Sequence, residues 1–140
     1  MIHVTRKYDF SASHRLHSEA FSEAENTRLF GKCNNPFGHG HNYELFVTAE
    51  GPVDPRSGRA VCPATLDSLV TQHVLTAYQL KNMNLDLPEF ATLVPTTENV
   101  ATAIALRLQH HWREAFPTGV PRLCKIRIRE TDRNIFELIL

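Results

Sequence analysis

The sequence predicts an α+β fold in which a four-stranded antiparallel sheet carries two helices on one face. Segments near both ends alternate apolar and polar residues, which is typical of strands with one buried face. Two central segments repeat apolar residues every three to four positions, as amphipathic helices do. The resulting order, strand–strand–helix–helix–strand–strand, is that of an α+β domain. A single domain over residues 1–140 is expected, because no repeat or linker divides the chain.

The first half of the chain predicts two strands separated by a polar insert. The first strand carries Tyr8, Phe10 and Ala12 on one face, and His14 falls on that face if the strand continues. In the insert, Ser22 and Glu25 fit a capping box for a short helix. The second strand begins near residue 41, and its apolar face comprises Tyr43, Leu45, Val47 and Ala49.

The second half of the chain predicts two helices followed by two strands. Pro63 suits a first helical turn, and Thr96 or Thr97 is a plausible cap for the second helix. The apolar stripe of the first helix comprises Leu66, Leu69, Val70, Val74 and Ala77, with His73 on the same stripe as a core histidine. The inner face of the second helix comprises Val100, Ala101, Ile104 and Leu108. The final strands are expected at residues 122–130 and 135–140, with a further strand edge near Gly58–Val61. The exposed edges of such a sheet favour oligomerisation.

Composition excludes several classes of partner. Fifteen basic and fifteen acidic side chains balance, so nucleic acid and anionic membranes are not expected as partners. No apolar run is long enough to span a bilayer, and the N-terminal residues alternate and do not form a signal peptide. Three cysteines without a secretory signal favour reduced thiols and a cytoplasmic location.

The segment "CNNPFGHGHNY", residues 33–43, indicates a metal site. His39 and His41 are two residues apart, so on a strand both imidazoles project to the face of Tyr43. His14, at the end of the other apolar face, is the best third ligand. Three histidines leave a fourth position open for water or substrate, as in catalytic zinc sites. The alternative is that the histidines cap the sheet or bond to backbone.

The roles of two further residues near these strand ends each have two interpretations. Cys33 lies in a polar turn, where it is either a fourth metal ligand or a reactive thiol beside the metal. Glu130 ends the apolar face of "LCKIRIRE", so its carboxylate either turns into solvent or binds a ligand rich in hydrogen-bond donors. The pair His110 and His111 falls near a helix C-terminus, where imidazole suits the helix dipole, and no function is assigned to it.

Four segments of the chain form a distinctive set: "FSASHRL" (10–16), "FGKCNNPFGHGHNY" (30–43), "PTTENV" (95–100) and "ETDRN" (130–134). Together they resemble the signature segments of the 6-pyruvoyl-tetrahydropterin synthase and 6-carboxy-tetrahydropterin synthase family. The C-x5-H-x-H spacing looks like the pyruvoyl synthase branch. The resemblance implies the tunnelling fold, or T-fold, in which trimers join their sheets into a barrel. Two trimers stack into a homohexamer with active sites between subunits.

The resemblance also implies an activity and a set of site residues. The reaction is a zinc-dependent elimination of triphosphate from 7,8-dihydroneopterin triphosphate, giving 6-pyruvoyl-tetrahydropterin for tetrahydrobiopterin biosynthesis. By this resemblance His14, His39 and His41 bind Zn²⁺, while Cys33 is the catalytic proton acceptor and not a ligand. Glu130 grips the small-molecule pterin substrate, assisted by Thr96 and Thr97.

One departure from the family pattern affects the expected activity. The family usually carries an Asp-His pair in "LDHKNLD" that relays protons with the cysteine, whereas this chain reads "YQLKNMNLD", with Gln79 and Leu80 at those positions. Neither side chain titrates near neutral pH. Three hypotheses follow: a pyruvoyl synthase with an altered relay, a related enzyme that cleaves the pterin side chain, as in a retro-aldol or carboxy-synthase reaction, or a weakly catalytic pterin-binding protein.

Overall fold

The computed structural model describes residues 1–140 and contains a five-stranded mixed sheet in the order β3-β1-β2-β4-β5. Four strands pair antiparallel with their neighbours: β1 (Ile2–His14), β2 (His39–Gly51), β4 (Arg122–Arg129) and β5 (Ile135–Ile139). The fifth, β3 (Lys81–Asn82), runs parallel to β1 beside Ala12 and Ser13.

The prediction of a purely antiparallel sheet of four strands is therefore wrong in strand number and direction. A two-residue strand carries no alternation that a sequence could display. The backbone forms β3 because the Leu80 amide donates to the Ser11 carbonyl at 2.6 Å, which aligns the following residues with the free edge of β1. The strand edge expected near Gly58–Val61 is also wrong. That segment belongs to a turn in which the Gly58 amide donates to the Asp54 carbonyl at 2.8 Å.

Three of the five helices begin where the sequence predicts, and the sequence predicts no separate start for the two short ones, Thr76–Tyr78 and Met83–Asp86. The Ser22 hydroxyl caps the first helix by accepting from the Glu25 amide, Pro63 opens the second, and the Thr96 hydroxyl accepts from the Asn99 amide at the start of the longest. Their bounds are α1 (Glu23–Phe30), α2 (Pro63–Val70), α3 (Thr76–Tyr78), α4 (Met83–Asp86) and α5 (Thr97–Ala115), with a π-helical turn (Thr71–Leu75) joining α2 to α3 and short 3₁₀ turns at Gly31–Asn34 and Pro88–Phe90.

The core lies between the apolar face of the sheet and helices α2 and α5. Leu45 and Val47 of β2, Ile126 of β4 and Ile104 of α5 are among its fully buried members. Burying one such side chain stabilises the fold by about 1.5–3 kcal/mol. The apolar faces of the strands and the apolar stripes of the helices therefore pack against each other. No helix of the structure has the length and hydropathy needed to cross a membrane.

His73 departs from the core position expected of it. It lies in the π-helical turn, is only partly buried, and stacks on the His111 ring with 3.6 Å between the ring centroids. A π-helical turn inserts one residue relative to an α-helix, so the predicted 3.6-residue stripe is disturbed here: Val74 stays fully buried, whereas His73 does not. Ala77, at the end of that stripe, is likewise only partly buried.

Candidate active site

The antiparallel register of β1 and β2 brings the three predicted histidines together. His14 lies directly opposite His39, and Ala12 lies opposite His41. Opposed residues on one face have Cβ atoms about 4.5–5.5 Å apart. The centroid of the His14 ring accordingly lies 5.6 Å from that of His39 and 5.0 Å from that of His41. The end of β1 and the start of β2 thus bring together imidazoles that are distant in sequence.

Gly38 permits this arrangement at the entrance to β2. Its φ is +68°, and a Cβ at this position would lie 2.4 Å from the His14 carbonyl oxygen. A side chain here would force β2 away from β1 where the histidines must meet. Gly40, between the two histidines of β2, has ordinary space for a Cβ, so the essential close approach occurs at Gly38 instead.

His14 is fully buried and held by its backbone surroundings. Its Nδ1 lies 2.9 Å from the Pro95 carbonyl oxygen, which accepts the ring proton and leaves Nε2 with a free lone pair. Burial lowers the pKa of His14 to about 4, and burial also lowers the pKa of His41. Both rings are therefore neutral at pH 7, as metal ligation requires.

The site contains orphaned polar atoms that fit a metal ion. Nε2 of His14 and Nε2 of His41 are both out of contact with solvent and have no hydrogen-bond partner. Burying such atoms unpaired is unfavourable by about 1–3 kcal/mol each. These atoms, a nitrogen of His39 and the Cys33 sulfur lie within 4.8 Å of one another. Neutral imidazoles and a thiol are a donor set that suits Zn²⁺.

Cys33 lies in the 3₁₀ turn before β2, with its Sγ 3.0 Å from Nε2 of His39. The turn is anchored by the Leu16 amide, which donates to the Cys33 carbonyl at 2.7 Å, and by the Asn34 amide group, which donates to the Leu16 carbonyl at 2.9 Å. Burial, and secondarily the Glu130 carboxylate, raise the pKa of the Cys33 thiol. Without a cation beside it, the thiol is therefore mostly protonated at neutral pH.

Glu130 approaches the same cluster from the end of β4. Its Oε1 lies 3.4 Å from Nε2 of His41 and 3.8 Å from Nε2 of His14, and its side chain is only 10% exposed. The Glu130 amide donates to the Asn134 carbonyl at 3.0 Å, so the β4–β5 turn holds the residue in place. Glu130 turns inward, and it lines a cavity of about 590 Å³ that also contacts Asn42 and Gln79.

The two threonines of "PTTENV" have different surroundings. Thr96 uses its hydroxyl to cap α5, while Thr97 is buried with its Oγ1 unpartnered. Both follow Pro95, whose carbonyl orients His14, so the segment adjoins the histidine cluster through its backbone.

Gln79 and Leu80 do not bring a titratable group to the site. The Gln79 side chain accepts a hydrogen bond from the Ser11 amide at 2.8 Å, and so pairs with the edge of β1. Leu80 has φ +57° and is 80% exposed. Tyr78, the preceding residue, is buried against Phe10 with 5.5 Å between their ring centroids.

Sequence reasoning missed two residues that shape the site, Gly38 and Pro95. The Pro95 carbonyl carries no side-chain signal. Gly38 is one of two glycines flanking His39, and its positive φ and its close approach to the His14 carbonyl distinguish it from Gly40 only in the folded chain.

Comparison with known proteins settles the family. The family model for 6-pyruvoyl tetrahydropterin synthase matches residues 3–139 of this chain. The chain belongs to the 6-pyruvoyl tetrahydropterin synthase family. The human 6-pyruvoyl tetrahydrobiopterin synthase is 46% identical over 132 residues, covering 94% of this chain and 87% of the human protein. The Drosophila melanogaster protein of the same name is 40% identical, covering 94% of this chain and 76% of its own length.

Solved structures of family members agree with this fold. The 6-pyruvoyl tetrahydropterin synthase of Caenorhabditis elegans superposes with a TM-score of 0.90 at 40% identity, covering 99% of this chain and 95% of its own. The Plasmodium falciparum synthase superposes with a TM-score of 0.68 at 15% identity, covering 99% and 98%, and so shows the fold alone. The family's pterin synthase fold is therefore retained here.

Proposed function

We propose that the chain is a zinc-dependent pterin lyase of the pyruvoyl synthase type, which eliminates triphosphate from 7,8-dihydroneopterin triphosphate. The observation that carries this proposal is the convergence of His14, His39 and His41 beside the Cys33 sulfur, with two buried Nε2 atoms unpartnered. Identity of 46% to a 6-pyruvoyl tetrahydrobiopterin synthase over most of the chain supports the choice of substrate.

The zinc ligands in this proposal are Nε2 of His14 and His41 and a ring nitrogen of His39. The cation, when bound, supplies a Lewis acid that polarises the oxygens of the substrate side chain, acidifies the adjacent C–H bonds, and lowers the pKa of a neighbouring thiol. Three protein ligands leave a position for those oxygens, which a fully protein-ligated site would not.

Cys33 is the proposed proton acceptor. Its sulfur is held against the His39 ring by the 3₁₀ turn, so it is positioned beside any group that approaches the histidines. As the thiolate, Sγ removes a proton from substrate carbon and later returns a proton to another carbon, so the group is regenerated. The raised pKa of the thiol in the metal-free chain makes this role dependent on a nearby positive charge.

Glu130 is the proposed anchor for the pterin ring and assists catalysis by holding the substrate side chain over the histidines. A carboxylate accepts two parallel hydrogen bonds from an amino group and an adjacent ring N–H, as a pterin offers. The cavity of about 590 Å³ beside Glu130 has room for a bicyclic ring. We include Thr96 and Thr97 in the substrate-binding set, and the unpartnered Thr97 hydroxyl supports this inclusion.

The proposed assembly is a homohexamer of two trimers with active sites between subunits, in the cytoplasm. The outer edge of β5 exposes Ile135 and Ile139, which supports pairing of this edge with another copy. Three free cysteines support a reducing compartment.

A second candidate function is cleavage of the pterin side chain by a retro-aldol reaction. The specific observation favouring it is the pair Gln79 and Leu80, because neither side chain titrates near neutral pH. Gln79 bonds to the edge of β1, and Leu80 faces solvent. Side-chain cleavage still needs a base and an oxygen-polarising metal, for which Cys33 and the histidines suffice, but it depends less on the absent relay.

The test is to incubate zinc-loaded protein with 7,8-dihydroneopterin triphosphate and identify the products by mass. Release of triphosphate with the pyruvoyl product is the expected result. A shortened side chain would establish the second candidate function. Binding without turnover would refute both and leave a pterin-binding protein.

A further inference from the structure

A second cluster of metal-ligating side chains lies between the π-helical turn and the C-terminal half of α5. It consists of His73, from the π-helical turn, and His111 and Glu114, from α5. One ligand atom from each residue lies within 4.8 Å of the other two. The cluster shares no residue with the histidine site at the ends of β1 and β2.

The three side chains of the cluster lie close enough together to share a divalent ion once a ring is reoriented. The ring planes of His73 and His111 are 8° from parallel with centroids 3.6 Å apart, a face-to-face stack in which the in-plane lone pairs of the two rings do not yet converge on one point. Nδ1 of His111 lies 3.5 Å from Oε2 of Glu114. Ligands of a tetrahedral zinc at about 2.0–2.2 Å are about 3.3–3.5 Å apart, so His111 and Glu114 are already at a ligating separation. The partly exposed His73 ring must turn out of the stack to direct its lone pair at the same point.

One atom of the cluster lacks a partner. Nδ1 of His111 is out of contact with solvent and forms no hydrogen bond, although the Glu114 carboxylate is nearby. A buried ring nitrogen in that state is unfavourable unless another group uses its lone pair or its proton. The Glu114 side chain is 74% exposed and free to rotate toward the rings.

Local backbone structure explains why the two helical segments present these residues to each other. The π-helical turn inserts a residue before α3, which displaces His73 from the core stripe toward α5. His111 and Glu114 are three residues apart on one face of α5. Arg107, one turn earlier, donates to the His73 carbonyl at 3.4 Å, and its charge is balanced by an ion pair with Glu89.

We propose that His73, His111 and Glu114 form a second metal site, which binds a divalent transition-metal ion such as Zn²⁺ with a fourth position open to solvent. Two imidazoles and one carboxylate are ligands that zinc accepts together. The bound ion links the π-helical turn to α5, so it stabilises the folded chain increasingly as the free ion concentration rises above its dissociation constant. This inference does not rest on the proposed lyase activity.

Zinc stoichiometry of the full-length protein tests the proposal. After dialysis against buffered free zinc, wild type is expected to retain one more equivalent than His73→Ala or Glu114→Gln. His110→Ala is the matched control, because this neighbouring ring contacts His111 edge-on but supplies no ligand atom to the cluster. It is expected to bind as much zinc as wild type. Glu114→Gln alters an exposed side chain, so folding is preserved even if a histidine variant fails.

The outcomes separate this proposal from the proposed function. Equal zinc content in wild type, His73→Ala and Glu114→Gln would overturn the second site. Loss of one equivalent in both variants would support it, whether or not the β1–β2 histidines hold an ion of their own. If wild type binds a single equivalent that both variants lose, the second site stands and the zinc-dependent lyase proposal fails.

Discussion

Nδ1 of His14 lies 2.9 Å from the carbonyl oxygen of Pro95, and this contact determines which ring nitrogen faces the other histidines. The carbonyl can only accept, so Nδ1 carries the proton and Nε2 presents a lone pair to the cluster. The residue is fully buried, and the charged form of its ring is disfavoured there.

The metal-free protein should lose stability as the pH falls below about 6.5, the usual pKa of an unfolded-state histidine. Burial lowers the pKa of His14 to about 4 in the folded chain. The unfolded chain therefore takes up the proton first, and the folded state is destabilised progressively between these two values. Between pH 7 and pH 5 the expected loss is roughly 2 kcal/mol in the free energy of unfolding, measured with urea.

A matched pair of variants tests whether His14 causes this pH dependence. His14→Gln removes the titrating ring and should flatten the difference between pH 7 and pH 5, while His110→Gln, on an exposed position of α5, should retain it. Equal stability of metal-free wild type at both pH values would contradict the burial argument.

Cys33→Ala should abolish turnover while leaving zinc binding unchanged. Loss of a positioned base commonly lowers the rate by about 10²–10⁴-fold. The Sγ atom lies 3.0 Å from Nε2 of His39, so the sulfur is also near enough to be a fourth ligand. Assays of product formation and zinc content on the same preparation separate the two roles. A variant that loses its zinc along with its activity would show that the thiol is a ligand.

Restoring the family's Asp-His pair should raise the synthase rate. The double substitution Gln79→Asp with Leu80→His supplies a titratable ring at a position that is 80% exposed. Under the altered-relay hypothesis we expect a gain of about 10²–10⁴-fold in the rate of triphosphate release. Gln79→Asp with Leu80→Asn is the control, because it changes the same positions without adding an imidazole. An equal rate in both variants would argue against a relay defect.

Leu80→Gly should stabilise the protein. Leu80 has φ +57°, a left-handed conformation that disfavours an L-residue by about 1–2 kcal/mol. The higher unfolded-state entropy of glycine offsets about 0.5–1 kcal/mol of this gain, and the exposed side chain loses little burial. A net increase of roughly 0.5–1 kcal/mol in the free energy of unfolding is expected from denaturant melts.

Leu85→Gly is the comparison for this substitution. Leu85 is equally exposed but lies in α4, where the backbone is helical, so glycine there should destabilise the protein. If both variants shift stability in the same direction, backbone strain at Leu80 is not the cause.

Side-chain periodicity predicts the faces of the fold but not all of its connections. Tyr43, Leu45 and Val47 are buried as their alternation requires, and Pro63 and Thr96 mark the helix starts. The two-residue strand β3 and the π-helical turn at His73 depend on backbone hydrogen bonds that leave no pattern in the residues.

The site shows the same division between side chains and backbone. The residue types and spacing of His39 and His41 indicate a metal site, and the end of an apolar face identifies His14. The pairing of His14 with His39 depends on register, which a 24-residue insert between the strands conceals (residues 15–38). The carbonyl of Pro95 and the left-handed φ of Gly38 become visible only when the chain is folded.

X-ray absorption at the zinc edge, on Glu114→Gln protein loaded with one equivalent of zinc so that the His73–His111–Glu114 cluster does not compete, tests the central claim most directly. The account predicts three imidazole ligands and a fourth light atom at about 2.0–2.1 Å. A sulfur scatterer at about 2.3 Å would show that Cys33 closes the site and cannot serve as the base.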